Sequence, residues 1–177
     1  MTPADRAWTV YESPLGPLTL VGDRDALRGL YFPGRSEPLH EAERASPPFR
    51  DALTQLEEYF AGERRSFDVT LALDGTPFQQ RVWAALRAIP FGCACSYGEL
   101  AARIGRPDRV RAVGAAVGRT PVPIIVPCHR VVGADGSLTG YGGGLGRKQA
   151  LLDLEAAVSD GAPPPAVWAG RQLSLMG

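Results

Sequence analysis

The feature that most constrains the fold is an apolar, proline-rich stretch at residues 121–133, with the sequence PVPIIVPCHRVVG. Its aliphatic residues at positions 122 and 124–126 are interrupted by Pro123. Such a run predicts a short, buried, extended segment. This segment would deliver Cys128 from the protein interior, and His129 and Arg130 follow it at once.

Cys128 has two interpretations. As a lone cysteine in an apolar run it fits a structural residue, since cysteine is among the side chains most often buried. The thiolate, however, is a nucleophile, and an adjacent base or positive charge stabilises it. His129 and Arg130 offer both, in a chain with only one other histidine, His40. These neighbours favour a reactive cysteine.

The length and the cysteine content favour a reducing environment. A chain of 177 residues forms one large domain or two small ones, with a core that needs no disulfide or metal. Its three cysteines are an odd number, and two of them, Cys93 and Cys95, lie close together. No signal segment or membrane-length apolar run occurs in the sequence. We therefore expect a cytoplasmic protein without a membrane partner.

Charge is distributed unevenly, although the net charge of the chain is zero. Residues 1–76 contain 8 Arg and 13 acidic residues, for a charge of −5. Residues 77–150 contain 10 basic and 3 acidic residues, for a charge of +7. A basic section of this kind suits a phosphate-binding face, because neutralised phosphates release counterions. Ordinary solvated arginine is the alternative, and charge alone does not separate the two.

The first 74 residues predict a small mixed sheet with one helix. Three short extended pieces, separated by proline and glycine turn signals, predict an antiparallel meander between residues 7 and 32. Apolar residues at helical spacing predict a helix over residues 49–61, ended by Gly62. Alternating apolar residues then predict a strand over residues 67–73. We find no catalytic constellation in this part.

A mainly helical domain is predicted after Asp74-Gly75, because the charge balance and the apolar pattern both change there. Capping-box patterns predict helices that start at Thr76 and Ser96. Gly105 separates the second of these from another helix that begins near Pro107. Two short helices across a glycine turn form a helix-turn-helix candidate.

The second helix of this helix-turn-helix candidate has a predicted basic face. Arg109, Arg111 and Arg119 lie there among small residues that would let the backbone approach a duplex closely: Ala112, Ala115, Ala116 and Gly118. We therefore predict the α/β (α+β) class, with a small N-terminal mixed β-sheet domain containing a helix at residues 1–74. A C-terminal domain with a winged helix or helix-turn-helix follows at 75–160, and a tail at 161–177.

A glycine-rich loop at residues 140–144 follows the cysteine segment. It lacks the spacing and the strand-to-helix context of a nucleotide phosphate loop. A tight fold over a flat ligand, with Tyr141 as the one large side chain, suits it better. The last predicted helix covers about residues 147–157 and carries Glu155 near its end.

Five segments, taken in order, resemble the O6-alkylguanine-DNA alkyltransferases. They are FQQRVW at 78–83, SYGELA at 96–101, RAVG at 111–114, PCHR at 127–130 and YGGGL at 141–145. The resemblance is strong over residues 78–155. It is weaker before, where SPLGPLTL at residues 13–20 is also similar to the family's opening.

The resemblance implies a DNA-repair protein that flips an alkylated guanine out of the duplex. The O6 alkyl group then passes irreversibly to the protein's own cysteine, so that one molecule repairs one lesion without a cofactor. The implied partner is double-stranded DNA containing O6-alkylguanine, bound by a monomer that can cluster on DNA. Whether bulky alkyl groups or O4-alkylthymine are accepted stays open.

The resemblance also assigns roles by position. Cys128 is the acceptor, and His129, acting through a water with Glu155 behind it, draws off the thiol proton. We then expect the pKa of the thiol to lie below that of a free cysteine. Arg111 enters the base stack in place of the flipped base, and Tyr97 presses on the neighbouring phosphate. The remaining assignments are Tyr141 and Val131 to the base pocket, and Arg106 and Arg119 to DNA.

Three positions depart from the family pattern. Thr120 stands where family members usually have Asn, and a hydroxyl offers fewer hydrogen bonds than a carboxamide. Cys93 and Cys95 stand at usually charged or polar positions, where two spare thiols are favoured over a metal or redox site. The structural zinc of some relatives would find no cysteine ligand in the N-terminal half, so we expect no metal.

Two other functional classes stay open. A cysteine hydrolase would also use Cys and His, although such partners usually meet through the fold rather than as chain neighbours. A DNA-binding regulator or lesion sensor would keep the helix pair and would not need Cys128.

Overall fold

A four-stranded sheet forms the first part of the protein. The computed structural model describes residues 6–34, 43–44 and 49–164, so that His40 and most of the predicted tail lie outside it. The sheet has the order β3-β2-β1-β4 and consists of β1 (Ala7–Ser13), β2 (Gly16–Gly22), β3 (Leu27–Tyr31) and β4 (Glu43–Arg44). The first three strands are antiparallel neighbours, which confirms the predicted meander, and β4 joins β1 in parallel.

The predicted helix of this half is confirmed as α1 (Arg50–Phe60), but the predicted strand over residues 67–73 is wrong. This stretch makes one isolated bridge, between Leu27 and Leu71. Leu27 N donates to Thr70 O at 2.9 Å, and Ala72 N donates to Leu27 O at 3.0 Å. Its alternate apolar residues are half-buried against the core. The alternation therefore reflects half-burial without continuous sheet pairing.

Both capping boxes are present at the starts of α2 (Pro77–Arg87) and α3 (Tyr97–Arg103). A turn through Gly105, with φ of 75°, leads to α4 (Val110–Gly118). The three helices pack together, and Trp83 Nε1 on α2 donates to Ala116 O on α4 at 2.9 Å. Ala116 is buried, so the prediction that it lies on the basic face is wrong.

The stretch before Cys128 is buried as predicted, but it is not extended. Ile124 has a φ of 74°, and Val126 N donates to Val122 O at 2.9 Å, so the chain turns back within residues 121–127. Prolines at 121, 123 and 127 remove three of the N–H donors that a strand would use. A single 3₁₀ turn, Cys128–Arg130, follows this segment.

Two short elements complete the C-terminal half. β5 (Cys95–Ser96) pairs in parallel with β6 (Val131–Val132), and α5 (Leu145–Ser159) is slightly longer than predicted. One hydrophobic cluster includes residues of both halves, among them Leu56, Leu86 and Leu151. Among the described residues, no helix combines the length and apolarity that a membrane span requires. The mixed sheet with a mainly helical second part confirms the predicted fold class.

Candidate active site

Cys128 lines a cavity of about 250 Å³ where three parts of the chain meet. Residues 30–32 at the end of β3 and just after it form one wall, residues 117–121 at the end of α4 form another, and residues 140–143 of the glycine-rich loop form the third. Leu30 N donates to Pro121 O at 2.9 Å, which ties the first wall to the second. The N-terminal half therefore shapes a cavity whose cysteine belongs to the C-terminal half.

Burial raises the pKa of the Cys128 thiol to about 11. The Thr120 hydroxyl and the positive charge of Lys148 oppose this effect, because both stabilise a thiolate. The prediction that the pKa of this thiol lies below that of a free cysteine is therefore wrong for the resting protein. At neutral pH the thiol keeps its proton until a base removes it.

His129 and Glu155 form a buried pair, with exposures of 0% and 1%. His129 Nε2 lies 2.8 Å from Glu155 Oε1. Burial lowers the pKa of His129, so the imidazole is neutral, and its contact with the carboxylate places the hydrogen on Nε2. Nδ1 makes no hydrogen bond within the described part of the chain. This nitrogen therefore carries a lone pair that can accept a proton.

Arg130 holds the other side of the same carboxylate. Its Nη2 lies 2.8 Å from Glu155 Oε1 and its Nε 2.9 Å from Oε2, while Nη1 donates to Ile89 O at 2.6 Å. Burial alone would raise the pKa of Glu155, but hydrogen bonds from His129 and Arg130 outweigh burial and hold this pKa at about 2. The positive charge that follows Cys128 in sequence is thus directed at Glu155 rather than at the thiol.

Two further donors reach Glu155 from elsewhere in the fold. Tyr59 on α1 donates its hydroxyl to Oε1 at 2.8 Å, and Gly92 N donates to Oε2 at 3.2 Å. Sequence analysis did not identify Tyr59, because nothing in the pattern of α1 distinguishes it from an ordinary core aromatic residue.

Tyr141, which we predicted to lie in a base pocket, lines the cavity that contains Cys128. Its ring meets Phe32, the residue after β3, edge to face at 5.7 Å, and its hydroxyl is buried without a hydrogen bond to the described residues. Arg147 supports this wall by donating to Leu15 O at 3.0 Å and Gly143 O at 2.9 Å. Val131, in contrast, is fully buried in β6 and is not among the residues that line the cavity.

Lys148 is a charged residue of the site that sequence analysis missed. Its side chain is fully buried, and Nζ donates to Thr139 O at 3.0 Å and lies 6.0 Å from the ring centre of Tyr97. Burial lowers its pKa, and the negative charge of the Cys128 thiolate, when it forms, opposes that shift. The signal was available, since Lys148 is the one lysine among 19 cationic residues.

The predicted DNA-contact residues lie on or beside α3 and α4. Tyr97 begins α3, and its hydroxyl donates to Thr139 O at 3.1 Å. Arg106 pairs with Asp108 at 3.2 Å in the turn between the helices. Arg111 and Arg119 are exposed and form no ion pair with another described residue. Both guanidinium groups are therefore accessible to an anionic partner.

The two remaining cysteines lie apart from the site. Cys93 is exposed, and Cys95 is buried in β5, where burial raises the pKa of its thiol. Within the described ranges, no group of three or more His, Cys, Asp or Glu side chains is placed to hold a metal ion.

Two family models match almost the whole of the described chain. Residues 7–73 match the 6-O-methylguanine DNA methyltransferase ribonuclease-like domain. Residues 77–157 match the DNA binding domain of the same family.

Curated relatives and solved structures agree with these matches. The methylated-DNA--protein-cysteine methyltransferase of Mycobacterium tuberculosis is 55% identical over 81% of this chain and 88% of its own length. The protein of the same name from Methanosarcina acetivorans is 48% identical over 85% of this chain and 98% of its own. A crystal structure of Mycobacterium tuberculosis OGT in complex with DNA has a TM-score of 0.84 and 49% identity, covering 93% of this chain and 99% of that one.

Proposed function

The chain belongs to the 6-O-methylguanine DNA methyltransferase family, and we propose that Cys128 is the residue that receives the alkyl group. The reaction of the family is direct reversal of DNA damage, in which the alkyl group of a modified guanine passes to a cysteine of the protein. One observation carries the assignment: Cys128 lines the cavity, and of the three cysteines only Cys128 adjoins a buried histidine with an open ring nitrogen.

The transfer is a displacement at the alkyl carbon. A bond forms between Cys128 Sγ and that carbon, the bond from the carbon to guanine O6 breaks, and its electron pair stays with the guanine. His129 Nδ1 takes the thiol proton, through a water, while Glu155 stabilises the positive charge that the ring acquires. The proton that His129 has taken then passes through water to N1 of the guanine anion, so the imidazole returns to its neutral form and the protons balance. The thioether persists, and one molecule therefore repairs one lesion.

The surroundings of the thiol suit this reaction. A buried thiol with a raised pKa is inert toward solvent and becomes a nucleophile only when its proton has a defined acceptor. Thr120 and Lys148 stabilise the thiolate at that moment. Because Cys128 is only 5% exposed, a base that fills the cavity leaves water little access to the alkyl carbon.

The entrance to the cavity supports a base that arrives from DNA. A groove along α4 and the glycine-rich loop shares Gly118 and residues 140–142 with the cavity wall. Tyr97 and Gly114 line the groove on the helix side. A flipped base would pass between the helix pair and the loop, with Tyr141 beside its ring and Val131 behind the wall.

The helix pair provides the DNA contacts in this proposal. α3 and α4 act as a helix-turn-helix in which Arg111 enters the stack in place of the flipped base and Tyr97 presses on the neighbouring phosphate. Extruding a base costs a few kcal/mol, which an inserted side chain and phosphate contacts offset. Arg106 and Arg119 add phosphate contacts. The proposed partner is duplex DNA carrying O6-alkylguanine, bound by a cytoplasmic monomer that can cluster on DNA.

The test is incubation with a duplex that carries one O6-methylguanine, followed by intact mass and peptide mapping. We expect a stoichiometric gain of one methyl group on Cys128. Cys128→Ser should take up no methyl while binding the duplex within about threefold of wild type, because the thiol contributes little to phosphate contacts.

The other outcomes are equally distinct. Methyl uptake on Cys93 or Cys95 would relocate the reaction. Binding without a change in mass would indicate a lesion sensor, and turnover of an ester or peptide would indicate a hydrolase.

A further inference from the structure

The hydroxyl of Tyr59, in the N-terminal half, reaches the buried carboxylate of Glu155 in the C-terminal half. It donates to Oε1 at 2.8 Å across 96 residues of sequence. The Tyr59 ring is fully buried and packs against Phe60, Phe67 and Phe91 at centroid distances of 5.3, 5.3 and 6.0 Å. The aromatic contacts hold the ring in place, and the hydroxyl is the part of the side chain that faces the site.

This hydroxyl competes with His129 for one carboxylate oxygen. Oε1 accepts hydrogen bonds at 2.8 Å from three side chains, namely Tyr59, His129 and Arg130. A carboxylate oxygen offers about two lone-pair positions, so these donors share its electron density. The density that the Tyr59 hydroxyl takes is not available to the imidazole. Tyr59 therefore weakens the pull of Glu155 on the proton of His129.

We infer that Tyr59 is a positioning residue for alkyl transfer, which acts through Glu155 to orient His129 and to limit its basicity. The inference rests on the proposed roles of His129 and Glu155. It means that the N-terminal half contributes to the chemistry as well as to the cavity wall. A neutral imidazole is what the proposed reaction needs at its start, because a protonated one cannot take the thiol proton.

Other charged and titratable groups face the pair from neighbouring elements. Arg130 and Lys148 face His129 and lower its pKa, whereas Glu155 raises it. Tyr141, on the glycine-rich loop, faces Glu155 with its pKa well above the usual value because of burial. Burial likewise keeps the pKa of Tyr59 well above its usual value. Tyr59 therefore remains the donor and Glu155 the acceptor.

The test uses Tyr59→Phe, which keeps the ring and removes only the hydroxyl. The readout is the pH dependence of benzyl transfer from free O6-benzylguanine, which needs no base flipping. We expect the midpoint of the acid limb to move to higher pH by roughly half a unit, because His129 becomes more basic. Below the midpoint the rate should fall about threefold, with little change on the plateau.

Tyr11→Phe is the matched control. Tyr11 belongs to the same half of the protein and stacks on Phe60 at 6.2 Å, but it makes no contact with Glu155. Loss of the Tyr11 hydroxyl should leave the midpoint of the acid limb unchanged. Replacement of Tyr59 by 3-fluorotyrosine provides a second variant that preserves the buried ring. Its hydroxyl is a stronger donor, so the midpoint should move to lower pH.

Three results would overturn the inference. In the first, the midpoint of the acid limb is unchanged in both Tyr59 variants. In the second, the midpoint moves in the same direction in both. In the third, Tyr59→Phe loses the same fraction of its rate at every pH and also has a lower Tm. The last would show that Tyr59 acts through packing alone. Wild-type protein in the same assay shows whether the role of Tyr59 or the proposed function itself has failed. Absent benzyl uptake on Cys128 in the wild type contradicts the function, whereas normal uptake with an unmoved midpoint contradicts only the role of Tyr59.

Discussion

Arg130 and Glu155 form a buried ion pair in which Nη2 donates to Oε1 at 2.8 Å and Nε donates to Oε2 at 2.9 Å. Removing one partner of such a pair leaves an uncompensated charge in the interior. Glu155→Gln should therefore lower the free energy of unfolding by about 3 to 5 kcal/mol. It should also slow benzyl transfer, because His129 loses the charge that stabilises its protonated form. Urea denaturation and the transfer rate measure the two effects.

Asp153→Asn is the control for this prediction. It neutralises a carboxylate on the same helix, but Asp153 is exposed and accepts a hydrogen bond from Gln149 Nε2 at 2.7 Å. Its stability should stay within about 0.5 kcal/mol of wild type. An equal, small effect of both substitutions would show that Glu155 is an ordinary surface-like charge.

Thr120 provides a second test, because its hydroxyl has one hydrogen and two alternative acceptors. It donates to Val117 O at 2.7 Å, at the end of α4, and the same hydroxyl, turned toward Sγ, stabilises the Cys128 thiolate. Thr120→Val keeps the shape of the side chain and removes the donor. We expect the pKa of Cys128 to rise by roughly one unit and benzyl transfer to slow about tenfold at neutral pH.

Thr120→Asn tests whether position 120 needs a hydrogen-bond donor of any kind or a threonine in particular. Asn is the usual residue at this position in the family that the sequence resembles, and its carboxamide retains an N–H donor. This variant should transfer the benzyl group within a few-fold of wild type. The pH dependence of thiol alkylation checks the pKa, and equal rates for the Val variant and wild type would contradict the proposed role.

Arg111 should matter for DNA and not for the chemistry. Arg111→Ala is expected to slow repair of O6-methylguanine in a duplex by at least about tenfold, because the vacated stack is no longer filled. Reaction with free O6-benzylguanine should change less than twofold. Arg87→Ala, which removes an exposed arginine at the end of α2, is the control and should affect neither. Equal losses on both substrates would show that Arg111 supports the fold or the cavity.

Local rules predicted the elements whose signals lie within a few residues. Thr76 and Ser96 cap their helices by the side-chain hydrogen bonds that the sequence pattern indicates. Apolar periodicity was a less reliable guide, because a half-buried loop segment can show the same alternation of apolar residues as a strand. The burial of residues 122–126 was predicted correctly, but neither that segment nor residues 67–73 forms a strand. The division at residues 74 and 75 stays a prediction.

The candidate site was predictable only where chain neighbours or a family pattern indicated it. Cys128 and His129 adjoin in sequence, and the family pattern supplied Glu155. Tyr59 could not be found in this way, because its contact with Glu155 depends on how two halves of the chain pack. The raised pKa of the thiol was missed for a related reason. Sequence shows which groups are near Cys128 in the chain, but not how completely the cavity walls remove it from water.

The pH dependence of stability tests the charge states assigned to His129 and Glu155. Glu155 has a folded pKa of about 2, below the ordinary value of about 4.3, so its stabilising contribution is present above pH 4.3 and is lost as the pH falls toward 2. The pKa of His129 is also lowered, so its contribution is present above its ordinary value of about 6.5 and is lost below it. The free energy of unfolding, from urea denaturation between pH 8 and about 4, should therefore begin to fall below about pH 6.5. His129→Gln should flatten this first decrease, and His40→Gln separates the contribution of the only other histidine. If the decrease persists in His129→Gln and disappears in His40→Gln, His129 is not the buried neutral group that the proposed proton transfer requires.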